Sequence, residues 1–448
     1  MVSVFAETAL TPEGWRRNVR LTLEGGRIAR LETEVPPEAE DERHDVLLPA
    51  MANLHSHAFQ RAMAGLAETR GPDADNFWSW RVQMYRFSLS MTPDQAEAVA
   101  AELYMEMLEA GFGRVGEFHY LHHDRDGRPY ARHGEMAERI AAAAEETGIA
   151  LTLLLVFYAH SNFGGAPPAD GQRRFISTPE GFARLMEEAR AAVGTLPASR
   201  VGIAPHSLRA ATVEEIAAIL PLAEGGPVHI HAAEQVKEVE DCLAFSGTRP
   251  VEYLMAHAPV DRNWCLIHAT HMTETETRAL AASGAVAGLC PITEANLGDG
   301  IFPAAAFLDA GGAFGIGSDS NVQIGLGDEL RQLEYAQRLH HRARNIIAPA
   351  HGSTGLALFN AALAGGNRAL QGTAGLYEGA EAGFFSLDLS ETPWLSGDAI
   401  LDHFVFAGRL RPDCVWVHGR KLVSGGRHHG RAAISARFRA AMAALLDG

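Results

Sequence analysis

Histidines two apart on an extended segment point to the same side, because side chains alternate along a strand. One metal ion can therefore take an imidazole from each. His55 and His57 have that spacing. They follow an apolar run over 47–54 that is too short to span a membrane and has the length of a strand. VHIHAAE places His229, His231 and Glu234 at the end of a second run, LIH ends a third at His268, and GSD ends a fourth at Asp319. Each has an ordinary reading alone: a hydrogen-bonded core histidine, a carboxylate at a helix start, a packed imidazole, a helix cap. Together they offer three imidazoles and a carboxylate with an open position, a set that suits zinc or iron(II) in hydrolysis. Such an ion brings the pKa of a water toward neutrality. Asp319 can bind the ion and take the water's proton. Glu234, three residues past His231, can carry a proton to a leaving nitrogen, and His268 can orient the water or stabilise a tetrahedral intermediate.

Those groups need a scaffold that brings strand ends to one mouth. Short apolar runs fall at 47–54, 114–119, 149–157, 200–204, 227–232, 264–268, 285–289 and 313–317, with amphipathic stretches between them. Helix starts are marked by Thr92-Pro93 and Thr178-Pro179, and by the capping-box spacings Thr212/Glu215 and Thr273/Glu276. Eight strand–helix units predict an α/β chain with a (β/α)8 TIM-like barrel, whose active groups sit at the C-terminal ends of the strands. A doubly wound sheet is the competitor, but no glycine-rich phosphate loop follows the first strand. Short strands at 2–6, 18–23 and 27–32 precede the barrel, with a turn at Glu24-Gly25-Gly26, and 384–387, 404–406, 414–417 and 421–423 follow it. Neither set can build a core alone. The expectation is a small β-sandwich module from both chain ends, 1–47 and 376–448, with a terminal amphipathic helix at 431–446, around a metal-dependent catalytic barrel at 48–375.

The length of 448 residues fits one large barrel plus such a module. A formal charge of −17 disfavours nucleic acid and anionic membranes, and means that an anionic substrate needs cations placed locally. Cys242, Cys265, Cys290 and Cys414 are scattered and read as free thiols. The N-terminal residues lack signal-peptide features, no lipidation signal occurs, and a soluble cytoplasmic protein is expected. Only two lysines occur, Lys237 and Lys421, neither at a strand end. A carboxylated lysine bridging two ions is thus disfavoured and one ion expected, with a glutamate or cysteine bridge still open. Period two puts His229 and His231 on one side, so spacing alone does not choose the ligand. His119, His122, His123, His160 and His271 read as supporting or loop residues, and Phe77, Trp78 and Trp80 as pocket wall or loop packing.

HSH after the first strand, HAAE after the fifth, H after the sixth and SD after the eighth resemble the amidohydrolase superfamily, with HxxE as in its deaminase branch. The stretches HSHAFQRAMAGL, NFWSWR, GEFHYLHH, APHSLRA and CPITEANLGDG are similar, more narrowly, to the N-formimino-L-glutamate deiminases of histidine degradation. The resemblance spans the whole chain. It implies hydrolysis of a formimino C=N to N-formyl-L-glutamate and ammonia, in a homodimer with one zinc per subunit (iron(II) as the alternative). It also implies His231 as the ligand, beside His55, His57 and Asp319, and substrate binding by Gln60, Arg81, Tyr120, His206 and Arg209. Their chemistry suits a small dianionic substrate derived from an amino acid, because guanidinium forks bind carboxylates bidentately. A nucleobase or triazine deaminase would have less call for two arginines, and a catalytically silent barrel would not keep the whole donor set.

Overall fold

In a computed structural model of the protein, residues 2–72 and 75–447 are described. Four strands come first: β1 (Val2–Thr11), β2 (Gly14–Glu24), β3 (Arg27–Glu32) and β4 (Glu42–Pro49). Eight follow in alternation with helices: β5 (Met51–Ser56), β6 (Phe112–His119), β7 (Ala150–Phe157), β8 (Arg200–Pro205), β9 (Val228–Ala232), β10 (Trp264–His268), β11 (Val286–Leu289) and β12 (Ala313–Ile316). The last four are β13 (Phe384–Leu387), β14 (Pro412–Val417), β15 (Arg420–Ser424) and β16 (Arg427–His428).

β5 to β12 pair in sequence order, every neighbour parallel. Helices cover the outer face, so strands such as β6 and β7 are buried at every residue and read as continuous apolar runs. The helices begin where the sequence marks them. Thr92, Thr212 and Thr273 each accept the amide of the residue three on, and Gln95, Glu215 and Glu276 return the bond. Thr178 caps Pro179–Val193 through Gly181. The barrel closes by a parallel bridge between Ser56 and Asp319, with His57 N donating to Asp319 O at 3.0 Å and Asp319 N to His55 O at 3.0 Å.

The other eight strands form one mixed sheet in the order β16-β15-β14-β13-β4-β1-β2-β3. It curls on itself, since Ile28 N donates to Ala380 O (3.0 Å) and Ala382 N to Gly26 O (2.9 Å). Val4, Val19, Leu21, Leu47, Phe384 and Trp416 fill the fold between its halves. Two expectations change. The run over 47–54 is not one strand: Leu47 and Leu48 pair with β13 in the curled sheet, and the barrel strand begins only after Ala50. Residues 404–406 are not a strand but the last turn of the helix Asp398–Phe406, which buries Ile400, Leu401, Phe404 and Val405 on one face. The terminal helix Arg431–Asp447 lies against the barrel helix Pro93–Glu109, where Ser435 Oγ donates to both oxygens of Glu102 and Arg431 meets Glu109.

The helix Thr354–Ala369 closes the barrel's other end and packs backbone to backbone on β12. A Cβ added at Gly365 would stand 1.7 Å from Phe314 O. Gly365→Ala is therefore expected to lower unfolding free energy by about 3 kcal/mol or more, read from denaturant midpoints.

Candidate active site

The strand ends deliver four metal-ligand candidates to one point. His55 Nε2 lies 3.3 Å from Asp319 Oδ1, His57 Nε2 lies 3.1 Å from the same oxygen, and His231 Nε2 lies 3.1 Å from His55 Nε2. One ligand atom from each of His55, His57, His231 and Asp319 falls within 4.8 Å of every other, and all four residues are buried. The outer ring nitrogens explain the orientation. His57 Nδ1 donates to Phe118 O at 3.0 Å and His231 Nδ1 to His206 O at 2.9 Å. Each ring then keeps a lone pair on Nε2 aimed into the cluster. The His57 lone pair faces the Asp319 carboxylate oxygen at 3.1 Å, a contact that repels in the absence of a cation, so the donor set fits a divalent ion. Burial also pushes His55 down to about 3 and His231 well below the usual range, which keeps both rings neutral as ligands must be.

His229, which spacing could not separate from His231, lies outside the cluster and bonds Ala369 O at 2.9 Å. Neither lysine comes near. Lys237 pairs with Asp241 and Lys421 with Glu42. The other histidines near strand ends support loops: His122 bonds Val156 O, His123 bonds Ile176 O, His160 pairs with Glu215, and His271 bonds Asp299 O.

Two ionisable groups stand beside the cluster. His268 Nε2 is 3.7 Å from Glu234 Oε1 and 3.7 Å from Asp319 Oδ2, and its Nδ1 lies 3.3 Å from Glu294 Oε1. Burial works against a charge on His268, but Glu234, Glu294 and Asp319 outweigh it and raise the ring to about 10. Burial likewise raises the Glu234 carboxyl, opposed by His268 and Arg209 and reinforced by Asp319 and Glu238. Asp319 and His268 both hold left-handed backbone, φ 45° and 66°. Strain of this kind in non-glycine residues gathers where surrounding structure fixes a functional geometry.

A pocket opens onto these groups, and Gln60, Arg81, Tyr120, His206 and Arg209 all line it. Gln60 Nε2 donates to Tyr120 Oη at 2.9 Å. Arg81 stands over the Trp78 ring at 4.5 Å and Arg209 faces the same ring at 5.9 Å. Phe77 and Trp80 line the pocket, as do Tyr85, Tyr158 and Phe175, which sequence reasoning did not single out. It also missed two buried carboxylates. Glu294 holds His268 Nδ1 and Cys290 N, and Glu238 accepts the amides of Ala233 and Glu234. The available signal was position: both follow a strand end by a few residues, at the start of a helix.

The "Amidohydrolase family" model matches residues 46–422. The chain belongs to the amidohydrolase family. Members of this family are metal-dependent, which agrees with the donor set. A second model, "Formimidoylglutamate deiminase HutF, N-terminal domain", matches residues 1–45 of this amidohydrolase. It is 48% identical to formimidoylglutamate deiminase of Pseudomonas aeruginosa over the full length of both chains. It is 30% identical to 5-methylthioadenosine/S-adenosylhomocysteine deaminase of Natronomonas pharaonis, with 89% of this chain and 87% of that protein covered. Among solved structures, an amidohydrolase from Brucella melitensis superposes with a TM-score of 0.98 at 58% identity, covering all of both chains.

Binding of an ion that the native site holds and the unfolded chain does not should be felt as stability. Removal of metal by a chelator is expected to lower the thermal midpoint, and about one equivalent of zinc should restore it. The His231→Ala variant should show neither response in the same melts.

Proposed function

We propose that this amidohydrolase is a formimidoylglutamate deiminase, hydrolysing N-formimino-L-glutamate to N-formyl-L-glutamate and ammonia. The observation that carries the reading is the pairing, in one pocket, of a hydrolytic His/Asp cluster with two guanidiniums inside a strongly acidic chain. A substrate with two carboxylates needs both cations, whereas flat ring amines need amide-type partners. The full-length likeness to the Pseudomonas aeruginosa deiminase supports the same substrate.

His55, His57, His231 and Asp319 would hold one zinc, an ion that suits three imidazoles and a carboxylate, with iron(II) as the alternative. When bound, that ion supplies a water acidified enough to yield a nucleophile near neutral pH. The protein does the rest. Arg81 and Arg209 grip the carboxylates, and Gln60, Tyr120 and His206 add hydrogen bonds, which fixes the formimino carbon against the cluster. Asp319 accepts the proton of the attacking water. Glu234 carries protons to the nitrogen that leaves, so that ammonia departs and the substituted amine stays on glutamate. His268, held positive by its carboxylate neighbours, stabilises the charge that develops on oxygen. The balance is RNH–CH=NH plus water giving RNH–CHO plus ammonia.

Ammonia release should be measured on N-formimino-L-glutamate beside N-formimino-L-aspartate, guanine and cytosine. Fast release from the glutamate compound alone is the expected result, and release only from a ring amine would reassign Arg81 and Arg209. Asp319→Asn should cut kcat by about 10³-fold or more. A near-normal rate with metal intact would remove Asp319 from its role. Arg209→Ala should raise KM by about 100-fold with a smaller change in kcat, and an unchanged KM would exclude carboxylate binding there.

A further inference from the structure

We propose that Glu238 is a positioning residue that ties the substrate-binding arginine to the proton-carrying glutamate, an inference that rests on the deiminase reading above. Glu238 lies in the first turn of the helix Val236–Ser246, and its side chain is completely shielded from solvent. Its carboxylate does not face its own helix. Oε1 accepts Ala233 N at 3.0 Å and Oε2 accepts Glu234 N at 3.2 Å, which pins the turn leaving β9. Ala233 in that turn has φ 52°, a left-handed conformation that costs energy for a residue with a Cβ. The two bonds therefore set the direction in which the Glu234 side chain enters the pocket.

The same Oε2 stands 3.8 Å from Arg209 Nε, while Arg209 Nη2 stands 3.8 Å from Glu234 Oε2. Arg209 is buried, and its Nε has no hydrogen-bond partner among the described residues. The guanidinium is thus balanced by two carboxylates at ion-pair distance yet hydrogen-bonded to neither, so its donors stay available for a substrate carboxylate. Glu234 cannot balance Arg209 throughout turnover, because its own proton inventory changes. Glu238 can, since it takes no part in proton transfer. A plain helix cap would require an acceptor there but no charge opposite an arginine.

The test is a pair of double-mutant cycles on the metal-loaded, full-length enzyme. Glu238→Gln keeps the shape and one acceptor but removes the charge. It is expected to lower kcat/KM about 100-fold, through a higher KM and a lower kcat together, with metal content unchanged and the thermal midpoint within a few degrees. Glu238→Asp, which keeps the charge, should recover at least about tenfold of that loss. In an Arg209→Met background Glu238→Gln should raise KM by no more than about threefold further, and in a Glu234→Gln background it should lower kcat by no more than about threefold further. Losses that multiply in full in both backgrounds would overturn the coupling, as would loss of fold or metal in both Glu238 variants. Absence of turnover by the wild-type enzyme would instead overturn the deiminase reading, and this inference with it.

Discussion

Closure of the barrel at one seam is the constraint on which the site depends. Parallel strands put all their C-terminal ends at one rim, but His55 and His57 meet Asp319 only because β5 and β12, the first and last strands, come side by side. A Cβ on Gly317 would approach His55 to 2.8 Å or less, so the last strand can lie this close only with glycine there. Below the ligands the seam is tied by buried polar groups. Asn53 Nδ2 donates to Ser318 Oγ (2.6 Å), Ser318 N to Asn53 Oδ1 (3.0 Å), Ser318 Oγ to Asn321 Oδ1 (2.6 Å), and Asn321 Nδ2 to His57 O (3.0 Å). Such a satisfied network in low dielectric is rigid. It brackets Asp319 on both sides and holds that residue in its strained backbone.

The pocket and its surroundings gather ionisable groups of both signs. Glu234, Glu294, Asp299 and Glu329 gather behind β9 to β12, and burial raises the carboxyls of Glu234, Asp299 and Glu329, Asp299 to about 9. Arg81 and Arg209 line the same pocket near the Trp78 ring, and Arg209 comes within 3.8 Å of Glu234. The two guanidiniums offer complementary charge to the carboxylates of a substrate. The net charge of the chain would repel a dianion. The local field, shaped by two guanidiniums in a low-dielectric cleft, matters more at contact distance.

Much of this arrangement was legible in the sequence, because period, caps and strand-end chemistry are local properties. The eight barrel strands and the threonine caps follow from apolar spacing and from Thr-Pro or Thr-x-x-Glu signals. The candidate ligands follow from histidines and an aspartate at strand ends. What was not legible depends on partners distant in the chain. Residues 47–54 are apolar except for Asn53, and nothing local says that Leu48 pairs with Phe385 while Met51 pairs with Phe112. The apolar triplet at 404–406 has too few residues to show a period, and packing decided for helix. His229 and His231 share a face, and only the bond of His229 to Ala369 O, contributed from the far end of the barrel, separates their roles. Glu238 and Glu294 look like ordinary helix-start acids until their backbone partners are seen.

The curled sheet bears on how the protein is made. β1 to β4 are made before the barrel strands, yet the edge of β4 that β13 covers stays open until β13 is translated. Until then β4 keeps an unpaired, apolar margin at Leu47 and Leu48, a surface prone to pairing with other chains. The pairing of β4 with β13 also fastens the start of β5, one residue beyond Pro49 and Ala50, so the strand that carries His55 gains this anchor only once β13 has been made.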